Sequence, residues 1–395
     1  MQNVIAIICE YNPFHNGHKF HIDTHRRELN ADGVVCIMSG SFTQRGEPAC
    51  LSKWARAEMA VKEGADLVLE LPVCFSSQSA ERFARGGVSL ANLLGIVKYL
   101  SFGSECGSAK LLEKAALILN EAEKSEMFKK YYSEGLSYPA ARQKAVESLA
   151  DDEVLNAIKS PNNILGIEYI AALRKLKSKI IPITVKREGA EHNSSVSSKN
   201  IASASKIREM IKNGEDVSSF VPNNALEILK REKENIVTDF SPLSTVLSYI
   251  LLTKAPEELS NIADISEGLE NRFIEAARKG YQISEIAEFV KTKRYTKSRI
   301  DRIITNILLG IKKDDDFSEC KYIRVLALNE KGAKMLNEIK EKSTLPIISK
   351  VAEASFSGEA EKMFSLDLLS TDIYALLTKN KISGQDFLNS PVFVK

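Results

Sequence analysis

Three histidines stand three residues apart, His15, His18 and His21, in the stretch EYNPFHNGHKFH (residues 10–21), and His25 follows in the same segment. The 395-residue chain holds five histidines, and only His192 lies elsewhere. Imidazoles at i and i+3 share a helix face, where they could chelate a metal, grip a phosphate or stand solvated. Pro13 fixes its own φ and pushes Asn12 towards an extended conformation, so the chain turns there. Asn16 or His15 then caps a helix, and Gly17 keeps its first turn open for close approach. The free N–H groups and partial positive charge of a helix N-terminus favour an anion. A metal ion would meet an unfavourable potential and find no nearby cysteine, so no metal site is expected. Two imidazoles beside a helix start suit a phosphate that gains charge in a transition state.

The surrounding elements put this segment where a site belongs. Strand-like runs at Val4–Cys9, Val34–Met38, Leu67–Leu71, Val97–Phe102 and Ile180–Val185 alternate with helical stretches at Gly17–Leu29, Ala49–Glu63, Gln78–Leu94 and Ala109–Ala122. That rhythm predicts a parallel sheet covered on both faces. Ligands of such sheets bind beyond the carboxyl ends of the strands, and the histidine segment begins where the first strand ends. A polar stretch, EHNSSVSSKNIAS, reads as a loop, and a short helix follows at Ser205–Lys212. From about residue 222 long helical patterns dominate, with a late strand–helix–strand segment (YIRVLALN, KGAKMLNEIKEK, LPIISK). The expected division is 1–215 and 216–395, the second part mainly helical α+β.

Composition narrows the class. Apolar residues make up 44% and charged residues 27%, with a net charge of +2, so any nucleic-acid surface must come from local segregation of charge. The six cysteines show no CxxC pairing, and several sit in apolar runs, which argues for a reducing cytoplasm and against a zinc ribbon. No run approaches the roughly 18 apolar residues of a membrane span. Neither a membrane nor a partner protein is implied.

HNGH, residues 15 to 18, resembles the HxGH signature of the nucleotidyltransferase superfamily, and SASKIRE, residues 203 to 209, resembles its SSTxIR element, with Ala204 in place of the middle hydroxyl. Longer stretches, among them CEYNPFHNGHKFHI, MSGSFTQRGEPACLSKWARAEMAVKEGADLVLELP, SFGSE, SPNNILGIEYI and KREGAEHN, are similar to the bacterial tRNA(Met) cytidine acetate ligases. The resemblance implies a Rossmann-like parallel-sheet nucleotidyltransferase domain. It also implies an activity: acetate is activated with ATP as acetyl-adenylate, and the acetyl group passes to N4 of the wobble cytidine (C34) of elongator tRNA(Met). His15 and His18 would meet the α-phosphate and Arg208 the leaving pyrophosphate, helped by Lys19. The ATP site would comprise Ile7, Ile8, Cys9, Glu10, Tyr11, Asn12, Pro13, Phe14, His15, Asn16, Gly17, His18, Lys19 and Phe20. Gly103, Asn162, Arg187, Ser203, Ser205 and Arg208 would complete it. Asn162 is preferred to its neighbour Asn163, and Ser203 and Ser205 would cap their helix. Magnesium is expected with ATP, although no carboxylate cage is evident. The rival readings are adenylyl transfer to another small acceptor and a non-catalytic RNA-binding protein.

Two basic segments are candidates for tRNA contact. One carries Arg45, Lys53 and Arg56, beside Trp54, which reads as core packing rather than a base platform. The other, KTKRYTKSRIDR (residues 291–302), contains Lys293, Arg294 and Lys297, with Tyr295 among them. Contacts of this kind position an RNA without reading its sequence.

Overall fold

The computed structural model describes residues 1–136, 138–187, 200–292 and 295–395. Lys293, Arg294 and His192 therefore lie outside the described residues. Strands β1 (Val4–Cys9), β2 (Gly33–Ser39), β3 (Leu67–Leu71), β4 (Val97–Ser104) and β5 (Ile181–Lys186) are joined late in the chain by β6 (Ile323–Leu328), β7 (Ile347–Ile348) and β8 (Val392–Phe393). They form one sheet in the order β5-β4-β1-β2-β3-β6-β7, with β8 also pairing to β6. Neighbours from β5 through β3 run parallel, and β6 lies antiparallel on β3.

β1 and β2 are apolar at nearly every position and buried at all of them, as strands covered on both faces must be. Side chains alternate across the pleat. Val4, Ala6 and Ile8 enter one core with Phe83, Val88 and Ile170. Ile5, Ile7 and Cys9 enter the opposite one with Ile22, Met59 and Ile207. The helices Pro242–Thr253, Leu269–Arg278, Ile283–Val290 and Lys297–Leu309 bury their apolar stripes against one another around Leu247, Phe273, Ile286 and Ile303.

Several boundaries differ from the sequence expectation. The helix placed at Ala49–Glu63 begins at Lys53, because the Ser52 side chain accepts from Ala55 N and caps it there. That placed at Gln78–Leu94 begins at Ala80 behind the Ser79 cap. β4 continues past Phe102, so Gly103 sits inside the strand opposite Val185 rather than at its end. The helices Glu126–Ser133, Tyr138–Leu149 and Asp152–Ala157 were not anticipated. The late strand–helix–strand segment builds no separate layer: β6 extends the first sheet beyond β3.

Two candidate RNA contacts need correction. Lys53 and Arg56 are 1% and 0% exposed and cannot present their charge to a polyanion. Lys53 Nζ lies 2.8 Å from Glu70 Oε1 and 2.7 Å from Asp386 Oδ1, and Arg324 completes the group by pairing with the same two carboxylates at 3.3 and 2.7 Å. Arg56 is a strut. Its guanidinium donates to the carbonyls of Glu10 (2.6 Å), Ser39 (3.1 Å) and Gly40, holding together the carboxyl ends of β1 and β2. Trp54 is buried as expected.

Arg45 remains exposed. Its loop is pinned to the helical unit by Thr305 Oγ1, which donates to Gly46 O at 2.6 Å. Gly46 has φ +82°, and a Cβ there would lie 2.5 Å from Arg302 N, so only glycine permits this docking. Lys297 is exposed and paired with Asp301 at 2.7 Å. Tyr295 is buried, its hydroxyl donating to Glu267 at 2.9 Å, so it is a packing residue rather than a stacking surface.

Candidate functional site

At the end of β1, Tyr11 takes a left-handed conformation (φ 47°) and the Asn12–Pro13 peptide is cis. The chain thereby turns into the helix Asn16–Glu28, which His15 caps. His15 Nδ1 accepts from Gly17 N at 3.1 Å, and His18 Nδ1 accepts from His15 N at 3.3 Å, a capping box built from imidazoles. These bonds fix both tautomers, leaving each Nε2 to carry the proton. The two rings stack with centroids 3.6 Å apart and planes 23° from parallel. Tyr11 and Phe14 pack edge-on or tilted against His18 at 4.8 and 5.5 Å. A Cβ on Gly17 would sit 3.0 Å from His15 Cε1, which is why the first turn must be open here.

The paired rings face a cleft of about 240 Å³. His15, Gly17, His18, Phe20, Gly103, Asn162, Arg187 and Ser203, all anticipated from the sequence, line it together with His21, Glu105, Val185, Lys186, Ile201 and Ala202. The other expected residues stand behind it. Ile7, Ile8, Cys9, Tyr11, Asn12 and Phe14 are buried, as is Pro13. Glu10 accepts from Gln44 N at 2.7 Å, and burial raises its carboxyl pKa. Asn16 Nδ2 donates to the Asn200 and Ser219 carbonyls. Lys19 pairs with Asp23 and Glu63 at 3.3 and 3.6 Å. Ser203 caps the helix Ala204–Lys212; Ser205 does not, and lies exposed in its first turn. Arg208 Nη1 donates to Asn12 O at 2.8 Å, and Nη2 stands 3.6 Å from Glu47, so the guanidinium braces the loop from outside the cleft.

The two asparagines divide their tasks. Asn163 is buried, accepts from Glu105 N and Cys106 N and donates to Ala157 O. Asn162, in the first turn of the helix Pro161–Lys175 rather than at its cap, faces the cleft.

Burial keeps the imidazoles uncharged. Desolvation, with the Arg187 charge second, lowers His15 to about 3. Desolvation and then His25 lower His21 to about 3. His18 is lowered for the same first reason, with His15 next. His21 Nε2 and His25 Nδ1 share the Ser101 hydroxyl at 2.5 and 2.6 Å. The site at rest thus offers neutral N–H donors and one exposed guanidinium, Arg187, towards an anion.

The model of the family described as HIGH Nucleotidyl Transferase matches residues 1–388. The tRNA(Met) cytidine acetate ligase of Thermoanaerobacter sp. (strain X514) is 43% identical over 98% of both chains. That of Acetivibrio thermocellus is 40% identical over 99% of this chain and 100% of its own. The chain belongs to the tRNA(Met) cytidine acetate ligase family. The crystal structure of Thermotoga maritima TmcAL bound with alpha-thio ATP superimposes with a TM-score of 0.90 at 32% identity, covering 99% of each chain. Its apo form matches equally well.

His21 and Glu105 carried readable signals. His21 continues the three-residue spacing, and Glu105 closes the SFGSE stretch. Lys186 opens the KREGAEHN stretch; Val185, Ile201 and Ala202 carried no such signal, because they reach the cleft through strand pairing and loop closure.

Neutral histidines make the fold acid-sensitive. A base whose folded pKa is lowered costs stability once pH falls below its unfolded value near 6.5, since the unfolded chain then binds the extra proton. His15 and His21, both near 3, should each remove up to about 2 kcal/mol by pH 5. Asp367, pushed up to about 7 by burial and then by Glu70, works the other way, because its folded form takes up a proton as pH falls. Urea unfolding at pH 7 and pH 5, compared with a His21→Gln variant, isolates the ring. The variant should lose less stability between the two; an equal loss would contradict the assignment.

Proposed function

We propose that this chain activates acetate with ATP as acetyl-adenylate and transfers the acetyl group to N4 of the wobble cytidine of elongator tRNA(Met). The observation that carries the reading is the stacked His15–His18 pair facing a cleft opposite Arg187, in a chain that matches ligases of that name from end to end. Residues 1–215 would bind ATP and do the chemistry. The mainly helical part, 216–395, would carry tRNA, with the exposed Arg45 and Lys297 as candidate contacts.

Acetate is ionised at neutral pH and needs no general base. One of its oxygens attacks the α-phosphorus of ATP, the bond to the bridging oxygen breaks, and pyrophosphate leaves with that electron pair. The Nε2–H groups of His15 and His18 donate to the α-phosphate oxygens as negative charge builds, and Arg187 adds a fixed positive charge. Arg208, released from Asn12 O, would hold the pyrophosphate. In the second step the N4 amine attacks the acetyl carbonyl, AMP departs with its electron pair, and N4 loses a proton to solvent. Among the described residues no group of three or more His, Cys, Asp or Glu could hold a metal ion. Magnesium, expected with ATP, would arrive on the nucleotide's phosphate oxygens.

Among the described residues no helix is long and apolar enough to cross a membrane. All six cysteines are free thiols, which supports a cytoplasmic location. The deciding experiment incubates the protein with ATP, labelled acetate and elongator tRNA(Met), then reads the wobble nucleoside by mass spectrometry. Label on N4-acetylcytidine is expected. Pyrophosphate release that ignores acetate, with no labelled nucleoside, would overturn the reading.

A further inference from the structure

Among the described residues that line the cleft, Glu105 is the one carboxylate, a charge unsuited to a triphosphate. Both of its oxygens are occupied by the start of the helix Pro161–Lys175. Oε2 accepts from Asn163 N at 2.9 Å, and Oε1 accepts from Asn162 N at 3.3 Å and from Asn162 Nδ2 at 2.6 Å. Ser160, the N-cap of that helix, makes no side-chain capping bond, so Glu105 supplies the cap from another element. Its charge is spent against the helix N-terminus.

The bond from Nδ2 has a further consequence. An amide can turn over and exchange donor for acceptor, but an ionised carboxylate only accepts. Asn162 must therefore point Nδ2 at Glu105, which fixes the amide's orientation and turns Oδ1 away from the carboxylate as its acceptor for the cleft it lines. We propose that Glu105 is a positioning residue that locks Asn162 as a hydrogen-bond acceptor, so that the cleft selects a nucleoside carrying a donor at that point. This rests on the cleft being the ATP site. The donor is a ribose hydroxyl or the adenine amine; both present an N–H or O–H to an acceptor, and inosine, whose six-position carries a carbonyl, lacks the second.

Calorimetric binding of ATP, ITP, 2′-deoxyATP and 3′-deoxyATP to the full chain tests it. At least one analogue should bind about tenfold more weakly than ATP, and the one that does names the donor. In Glu105→Gln the Asn162 amide is free to turn, and that discrimination should shrink to within a few-fold. In Asn162→Ala it should vanish, and adding Glu105→Gln should change it no further. If Glu105 served only as a helix cap, its variant would weaken all four nucleotides in equal proportion; that outcome, or equal binding of all four by the unaltered protein, overturns the inference. Acetate-dependent pyrophosphate exchange is measured in parallel. ATP binding without exchange would remove the ligase reading and leave the selectivity to be judged by its own arms, whereas no ATP binding would overturn both.

Discussion

Replacing His18 by alanine is expected to lower kcat for acetate-dependent pyrophosphate exchange about 10²–10³-fold, the usual effect of removing one donor from a preorganised anion site. The affinity for ATP should change far less, because the bond strengthens as charge accumulates on the α-phosphate. His15 needs a gentler test. It is also the N-cap of its helix, so alanine there would cost about 0.5–2 kcal/mol of stability as well. Asparagine keeps a capping acceptor while removing the ring, and His15→Asn should show a comparable fall in kcat with an unchanged circular dichroism spectrum. The two rings stack and share a capping box, so the double variant should fall by much less than the product of the two. Full turnover in His18→Ala would remove the imidazoles from the chemistry.

The second large effect lies away from the cleft. Lys53 and Arg324 balance Glu70 and Asp386 inside the protein, with side-chain exposures of 0–4%. Removing one member leaves an uncompensated buried charge, which costs about 3–5 kcal/mol, whereas well-packed apolar replacements of whole pairs are often neutral. Lys53→Met should therefore lower the urea midpoint sharply. Adding Glu70→Gln restores the balance of charge and should recover a substantial part of the loss. A Lys53→Met protein as stable as its parent would mean that the group contributes nothing net. The same variant separates this account from the surface reading of Lys53, which requires weaker tRNA binding at unchanged stability.

Much of the nucleotide end was legible because its determinants are local. A buried strand, a turn, a capping residue and a first helical turn all fall within residues 4–21, and each has its own chemical signature. The apolar run of β1 and the i, i+3 imidazoles needed no distant partner to be understood. Lys53 and Arg56 were misread for the opposite reason. KWARAE looks like a solvated helical face, yet every residue from Lys53 to Val61 is buried. What neutralises Lys53 comes from β3 and from Asp386, far along the chain. Arg56 is satisfied by four carbonyls, those of Glu10, Ser39, Gly40 and Leu51, that no side-chain pattern reveals. Arg208 illustrates a middle case: its type and its place one turn into a serine-capped helix were readable, but its resting bond to Asn12 O was not. The late segment YIRVLALN was recognisable as a strand, while its neighbour could not be known, because pairing with β3 depends on how the helices between them pack.

That pairing has a bearing on biosynthesis. During translation β3 emerges early and keeps a bare hydrogen-bonding edge until Ile323–Leu328 have left the ribosome, and over the same interval Lys53 and Glu70 await Arg324 and Asp386. An unpaired edge beside a half-finished ionic group is a place where nascent chains adhere to one another. Premature stop codons after residue 215 should accordingly yield aggregates or degraded fragments rather than a soluble, ATP-binding half-enzyme.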